Sequence, residues 1–202
     1  MGKLIFYDKE HEYELNGEIV PSVSELSRFA SREIYGDVNQ YLLDNAAERG
    51  SKVHKQCELL DKYRECEADE ITAPYIQAYV NFIKDNRPEW VAIEKAMASN
   101  KMLFAGTLDR VGMLNGKRVI VDIKTSSAVQ KVLALIQLNA YKMLWEENHT
   151  DEPIEELYIL HLTKEGKYKL INFDIDNTLF MACYNLHQAL KKKKRKRRND
   201  NE

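Results

Sequence analysis

The chain has 202 residues, of which 44% are hydrophobic and 31% charged, with only 8 Gly and 4 Pro. This composition belongs to a packed globular domain and excludes collagen-like, disulfide-stapled and wholly disordered chains. The formal net charge of -2 conceals an asymmetry: Lys191 to Arg198 is an unbroken basic run, and without residues 191–202 the chain carries 22 basic against 30 acidic side chains.

An acidic body with a basic appendix points to a polyanion partner met by the tail, or to a basic cleft inside a negative total. Cys57, Cys66 and Cys183 are widely spaced and form no CxxC pair, so they read as thiols of a reducing compartment. Met1 to Tyr13 alternates charged and apolar residues, and no stretch approaches the roughly 20 apolar residues of a spanning helix. A cytoplasmic location away from membranes is expected.

In chain order, Leu4 to Tyr7 and Glu12 to Leu15 read as short strands around a polar turn, with Asn16-Gly17 as a second turn. Pro21-Ser22 opens a helix to about Ala30, because Ser22 followed by Glu25 is a capping box. From Asn39 to about Arg64, Leu42, Leu43, Ala46, Val53, Cys57 and Leu60 recur at helical spacing, with Gly50 as a bend point. Pro74 suits the first turn of a helix that runs to about Asn86, before Pro88 forbids continuation.

The period then changes. Trp90 to Ala98, Lys101 to Leu114 and Lys117 to Lys124 are apolar, β-branched runs that read as core strands. Val129 to about Asn148 is helical again, Glu156 to Leu162 and Tyr168 to Phe173 are strands, and Asp176 caps a last amphipathic helix. The order predicts an α/β (α+β) fold: a mixed sheet of about five strands flanked by helices, with an N-terminal strand ribbon. Residues 1–190 are expected to form one domain and 191–202 a basic, disordered tail, although the run also suits an extension of the last helix.

Asn115-Gly116 between two apolar runs is a strong hairpin signal, since both positions tolerate the positive φ of a type I′ turn. A two-residue loop pairs Leu114 with Lys117 and, by the same count, Asp109 with Asp122, at a position where α-carbons approach to about 4.5 Å. Like charges facing each other in a sheet are destabilising. Salt bridges from Arg110, Lys124 or Lys101 would neutralise them, and so would a cation. Mg²⁺ suits two carboxylates plus waters and phosphate. Lys124, two residues beyond Asp122, points to the same face. Carboxylates, a metal and an ammonium together are the equipment of phosphodiester hydrolysis.

Four segments resemble the PD-(D/E)XK nuclease superfamily, in its RecB-like and phage exonuclease-like branch. They are Arg49-Gly50-Ser51-Lys52-Val53-His54, Ala105-Gly106-Thr107-Leu108-Asp109, Val121-Asp122-Ile123-Lys124-Thr125, and Gln137 with Tyr141. The resemblance implies a restriction-endonuclease-like core, with His54, Asp109, Asp122 and the Ile123 carbonyl as metal ligands. Lys124 would position water and stabilise the transition state, and Gln137 and Tyr141 would face the site from one side of a helix. Glu58, one turn beyond His54, would orient it or a metal-bound water, and Glu94 matches an acidic position on the first core strand. Arg49, Thr125 and Ser126 are the candidate DNA contacts. Leu108 stands where the motif name has proline, the cysteine quartet of the iron-sulfur nucleases is missing, so no cluster is expected, and no GxxxxGK[ST] loop occurs.

The implied activity is that of a Mg²⁺-dependent deoxyribonuclease, with Mn²⁺ substituting, acting as an exonuclease on linear double-stranded DNA in phage or bacterial recombination or repair. A single-strand annealing or recombination protein and further copies of the chain are the implied partners besides DNA. The alternatives are an endonuclease on branched or single-stranded DNA and a catalytically inactive DNA-binding module of the same fold.

Overall fold

A computed structural model describes residues 2–7, 10–36 and 40–199, except for the side chains of residues 40, 42, 43 and 194–199. The expected helix start at Asn39 and the side chains of Leu42 and Leu43 therefore lie outside the described residues.

The main sheet has the order β4 (Glu89–Ser99), β5 (Phe104–Leu114), β6 (Lys117–Lys124), β7 (Glu156–Leu162) and β8 (Tyr168–Phe173). All neighbours are antiparallel except β6 and β7. Between that parallel pair runs α5 (Lys131–Asn148), the long crossover that parallel pairing demands. The fold is thus the mixed α/β arrangement expected.

The N-terminal ribbon is a three-stranded sheet, because Glu18–Val20 adds β3 to β1 (Leu4–Tyr7) and β2 (Glu12–Leu15). Three residues are too few to display a period, which is why β3 is silent in the sequence. Ser22 caps α1 (Val23–Leu26) by accepting the Glu25 amide at 3.0 Å. The expected single helix breaks at Ser27 and continues as α2 (Arg28–Tyr35), none of whose residues is fully buried. The long helix α3 (Gln40–Tyr63) runs through Gly50, and α4 (Ala73–Asn86) carries Pro74 in its first turn. The final helix α6 (Thr178–Asn199) runs on through residues 191–199. Lys and Arg have straight-chain stems with good helix propensity, so charge alone did not decide the backbone there.

One sheet face is covered by α1, α5 and α6, with Phe104, Leu108, Ile120, Leu138, Leu144 and Phe180 in its core. The other is covered by α3 and α4, where Val53, Cys57, Tyr79 and Phe82 meet Val119, Val121 and Ile123. The ribbon packs Tyr13, Leu15 and Val20 on Ala98 and Ala105.

The hairpin turn has φ of 52° at Asn115 and 79° at Gly116, the conformation the sequence predicts. Its register runs from Leu114–Lys117 to Arg110–Val121 as counted. A bulge does occur opposite Gly112, but it lies in β4, between Trp90 and Ala92, and leaves the β5–β6 count intact. Gly112 is required there, since a Cβ would sit 2.1 Å from the Glu89 carbonyl oxygen and 2.8 Å from Trp90 Cα. Gly112→Ala is expected to lower stability by about 1–3 kcal/mol or more, as overpacking against backbone does. Urea unfolding would measure it, and a neutral result would remove the bulge as a constraint.

Candidate active site

The β5–β6 ladder stops one pair short of Asp109 and Asp122. In its place the Asp109 carboxylate takes the Ile123 amide, with Oδ2 accepting that N–H at 2.7 Å. On the other side of β5, the β4–β5 register also skips Glu94 and Asp109, and Glu94 has a φ of 48° inside a strand. Left-handed backbone at a non-glycine strand residue is strained and concentrates at functional sites. Both ladders are therefore interrupted at Asp109, and the gap between strands is where polar side chains gather.

From α3, His54 reaches into this gap. Its Nε2 lies 3.0 Å from the Ile123 carbonyl oxygen, and its Nδ1 lies 3.5 Å from both Glu94 Oε1 and Asp109 Oδ2. The ligand-capable atoms of His54, Glu94 and Asp109 all lie within 4.8 Å of one another. Asp122, 1% exposed, stands beside this group with its Oδ2 2.7 Å from Lys124 Nζ. Lys124 also donates to Gln137 Oε1 at 2.9 Å, and Gln137 Nε2 donates to the Tyr141 hydroxyl at 2.8 Å. The four-residue spacing on α5 does what the sequence predicted, lining up two polar groups behind the lysine. Gly106 makes room for them, since a Cβ there would come within 2.9 Å of the Tyr141 ring.

Behind the group lies a buried cation that the sequence reading named only as a salt-bridge partner of the two aspartates. Arg110 is 0% exposed and donates through Nε to Asp61 Oδ2 at 2.7 Å and through Nη1 to Glu94 Oε1 at 2.9 Å. The same Nη1 donates to the Asp109 carbonyl at 2.7 Å, and the Tyr79 hydroxyl donates to Asp61 at 2.6 Å. Asp61 lies two turns beyond His54 on α3, so one helix supplies both the imidazole and the acid that neutralises Arg110. Glu58, expected to orient His54 or a metal-bound water, pairs with lysines in this structure. Its two oxygens accept Lys62 at 2.7 Å and Lys55 at 2.9 Å, pairs with lysines of its own helix that draw the carboxylate away from the imidazole.

Of the candidate DNA contacts, Arg49 donates to the Thr125 carbonyl at 3.4 Å and lies over the Tyr75 ring at 5.7 Å. Thr125 is buried, and Ser126 spends its hydroxyl on the Ala128 carbonyl at 2.8 Å. Ser126, Lys124 and Gln137 line a 210 Å³ cavity whose far wall is Ser24, Ser27 and Tyr35 of the α1–α2 segment.

A profile of the PD-(D/E)XK nuclease superfamily matches residues 24–201. The chain belongs to that superfamily. No curated protein matches its sequence. Among solved structures, a putative exonuclease from Eubacterium rectale aligns with a TM-score of 0.52 at 14% identity, over 83% of this chain and 76% of that one. An alkaline exonuclease from Laribacter hongkongensis aligns at 0.43 and 12% identity, over 87% of this chain and 93% of that one. The first likeness shows the restriction-endonuclease-like fold. No helix among the described residues is long and apolar enough to cross a membrane.

The donor set of this nuclease fits a hard divalent ion. Two carboxylates and an imidazole converge, and both oxygens of the buried Asp122 lack an aligned hydrogen bond despite the nearby Lys124. Such orphaned acceptors are costly unless a cation takes them. The electrostatics agree. Burial pushes the His54 imidazole down, but Asp109 and Glu94 outweigh it and hold the imidazole up at about 9. Burial raises Asp109, and lifts Asp122 to about 6 against the pull of Lys124. Burial works against the Lys124 charge too, yet Asp122 and Asp109 keep that ammonium above the ordinary lysine range.

Two expectations follow from these shifts. An imidazole raised to about 9 contributes stability below about pH 6.5 that is lost as pH climbs through 9, and a carboxyl raised to about 6 loses its favoured protonated form between about 4 and 6. The chelated protein should melt at progressively lower temperature as pH rises. Mn²⁺ should reverse this, its affinity growing by up to about tenfold per pH unit while one proton is displaced. Thermal melts and calorimetry between pH 6 and pH 9.5, roughly the interval set by the His54 shift, would test both; affinity that fell with pH would contradict the ligand set. Separately, Asp61→Ala leaves Arg110 buried with one fewer counter-charge and should cost about 3–5 kcal/mol. Tyr79→Phe should cost about 1 kcal/mol. Urea unfolding of the two variants gives the comparison.

Proposed function

We propose that this chain is a divalent-metal-dependent deoxyribonuclease, an exonuclease that degrades linear double-stranded DNA in phage or bacterial recombination or repair. One observation carries the reading: His54, Glu94 and Asp109 converge at the strand gap, with Asp122 paired to Lys124 beside them. The exonuclease preference rests on the resemblance of the residue 49–54 segment and its companions to the phage exonuclease-like branch.

In this reading His54, Glu94, Asp109 and Asp122 hold Mg²⁺ or Mn²⁺, with the Ile123 carbonyl, here engaged by His54, as a further oxygen donor. When bound, the ion supplies Lewis acidity toward a phosphate oxygen and toward water. Lys124 acts as a fixed positive charge. Its ammonium is held protonated by Asp122 and Asp109, so it suits stabilisation of charge on the phosphoryl oxygens and is unsuited to removing a proton. Gln137, backed by Tyr141, fixes the direction of that ammonium. Arg49, with the backbone of the 125–126 segment, would receive the flanking phosphates. A single-strand annealing protein and further copies of the chain are the partners this branch suggests.

Purified protein with Mg²⁺ or Mn²⁺ is expected to degrade linear duplex DNA and to spare covalently closed circles. Asp122→Asn and Lys124→Met should each lower the rate by about 10²–10³ or more while leaving circular dichroism unchanged. Glu94→Gln should weaken the metal dependence in the same direction. Full activity in the Asp122 and Lys124 variants would remove the site assignment, and cutting of closed circles would make the enzyme an endonuclease.

A further inference from the structure

A groove of 740 Å³ lies between α6 and the α1–α2 segment, away from the residues proposed for catalysis. Its apolar surface is exposed: Ile19 is 54% accessible, Phe29 58% and Leu190 50%, with Leu186 beside them. On α6 the apolar lining residues Cys183, Leu186 and Leu190 recur at i, i+3 and i+7, with Leu186 and Leu190 exposed along the groove. The rim is basic. Arg28 and Arg32 stand on one wall, Lys191 and Lys193 on the other, and Glu25 is the one acidic side chain lining the groove among the described residues.

We infer that this groove docks an amphipathic helix of a partner protein, one with an apolar stripe flanked by Asp and Glu. Helices recognise helices through i, i+3, i+4 and i+7 anchors laid in an apolar trough, and a cationic rim selects an acidic partner and steers its approach. The α6 wall from Cys183 to Lys193 is about 15 Å long, enough for about three turns of a bound helix. Duplex DNA would satisfy the arginines and lysines and leave Ile19, Phe29 and Leu190 in contact with nothing, since backbone neutralisation is electrostatic. A flat anionic membrane does not enter a trough between two helices. Symmetric pairing with a second copy would face one basic rim with another, at a cost from like charge.

The groove also shares a wall with the proposed active site. Leu26, Phe29 and Arg32 of the α1–α2 segment line the groove, while Ser24, Ser27, Ser31 and Tyr35 of the same segment line the cavity that contains Lys124 and Gln137. A docked partner would therefore sit one helix away from the DNA-processing cleft.

The test uses the full chain and a fluorescein-labelled helical peptide of about 15 residues with a leucine stripe and glutamate flanks. Two control peptides replace every Glu by Gln or every Leu by Ala. Anisotropy titrations should show saturable binding of the acidic leucine peptide at least about tenfold tighter than either control. Leu190→Asp and Arg32→Glu, both surface changes, should each weaken it about tenfold with circular dichroism and DNA hydrolysis unchanged. Absence of saturable binding, equal binding of the controls, or loss of duplex-DNA or phosphatidylserine-vesicle binding in Leu190→Asp without any peptide binding would overturn the proposal. So would a dimer in analytical ultracentrifugation that the same substitution dissolves. The binding readout involves no catalysis, so its failure leaves the nuclease reading standing, and the converse also holds.

Discussion

A guanidinium with no access to water needs acceptors, and much of the arrangement around β5 follows from Arg110, whose Nη2 has no hydrogen-bond partner while Nε and Nη1 are satisfied. Its partners come from α3, α4, β4 and β5 itself, through Asp61, Tyr79, Glu94 and the Asp109 carbonyl. An ion pair this deep contributes little net stability relative to apolar packing, and its removal from one side is expensive. What it supplies is geometry. The acid that faces the imidazole, the helix that carries the imidazole and the strand that carries the aspartate are all tied to one planar, five-donor group.

The strand gap is the second consequence. A carboxylate that captures a neighbouring strand's amide replaces a ladder hydrogen bond with a side-chain one, so Ile123 keeps its N–H satisfied while its carbonyl is released toward His54. Opposite, Glu94 adopts left-handed backbone and the register skips. Gly106 and Leu108 lie on the α5 side, and so does Val111, whereas Arg110 turns to α3 and α4. Strict alternation would forbid that combination, so the side-chain parity slips at Asp109. A regular sheet would have placed two aspartates flat against each other. The slipped one turns Asp109 into the gap toward His54 and the Ile123 amide, beside Asp122, which pairs with Lys124.

Most of the fold was legible because its long elements carry clean periods. The hairpin register was legible because Asn115-Gly116 allows one loop length. His54 meets Asp109, and Asp122, Lys124, Gln137 and Tyr141 form a chain of contacts beside them, while the direct Asp109–Asp122 pairing that the loop count predicted is absent from the register. Glu94 was underweighted and the burial of Arg110 was missed for a shared reason: each stands beside an opposite charge in its own strand, Lys95 and Asp109, and such a pair reads from sequence as already neutralised. The counter-charge that holds Arg110 inside comes from α3, through Asp61. Asp61 could not be chosen over Glu58 from spacing, since both fall within reach of the His54 face and only the docking of α3 on the sheet decides which turns inward.

Charge explains why the molecule divides its surfaces as it does. A cleft assembled from Asp109, Asp122, Glu94 and Asp61 would repel a polyanion, the more so on a body with excess acid, unless fixed cations and a bound ion reverse the local field. Lys124 and Arg49 provide part of that reversal inside the cleft, and the imidazolium of His54 occupies it from α3. Other basic side chains, Arg28 and Arg32 on α2 and Lys191 and Lys193 at the end of α6, border exposed apolar residues on another flank. Cations placed beside Phe29 and Leu190 lie across the α1–α2 segment from the 210 Å³ cavity lined by Lys124 and Gln137. Their position is that of a recognition surface, held apart from the chemistry by a helix thin enough for one face to sense what occupies the other.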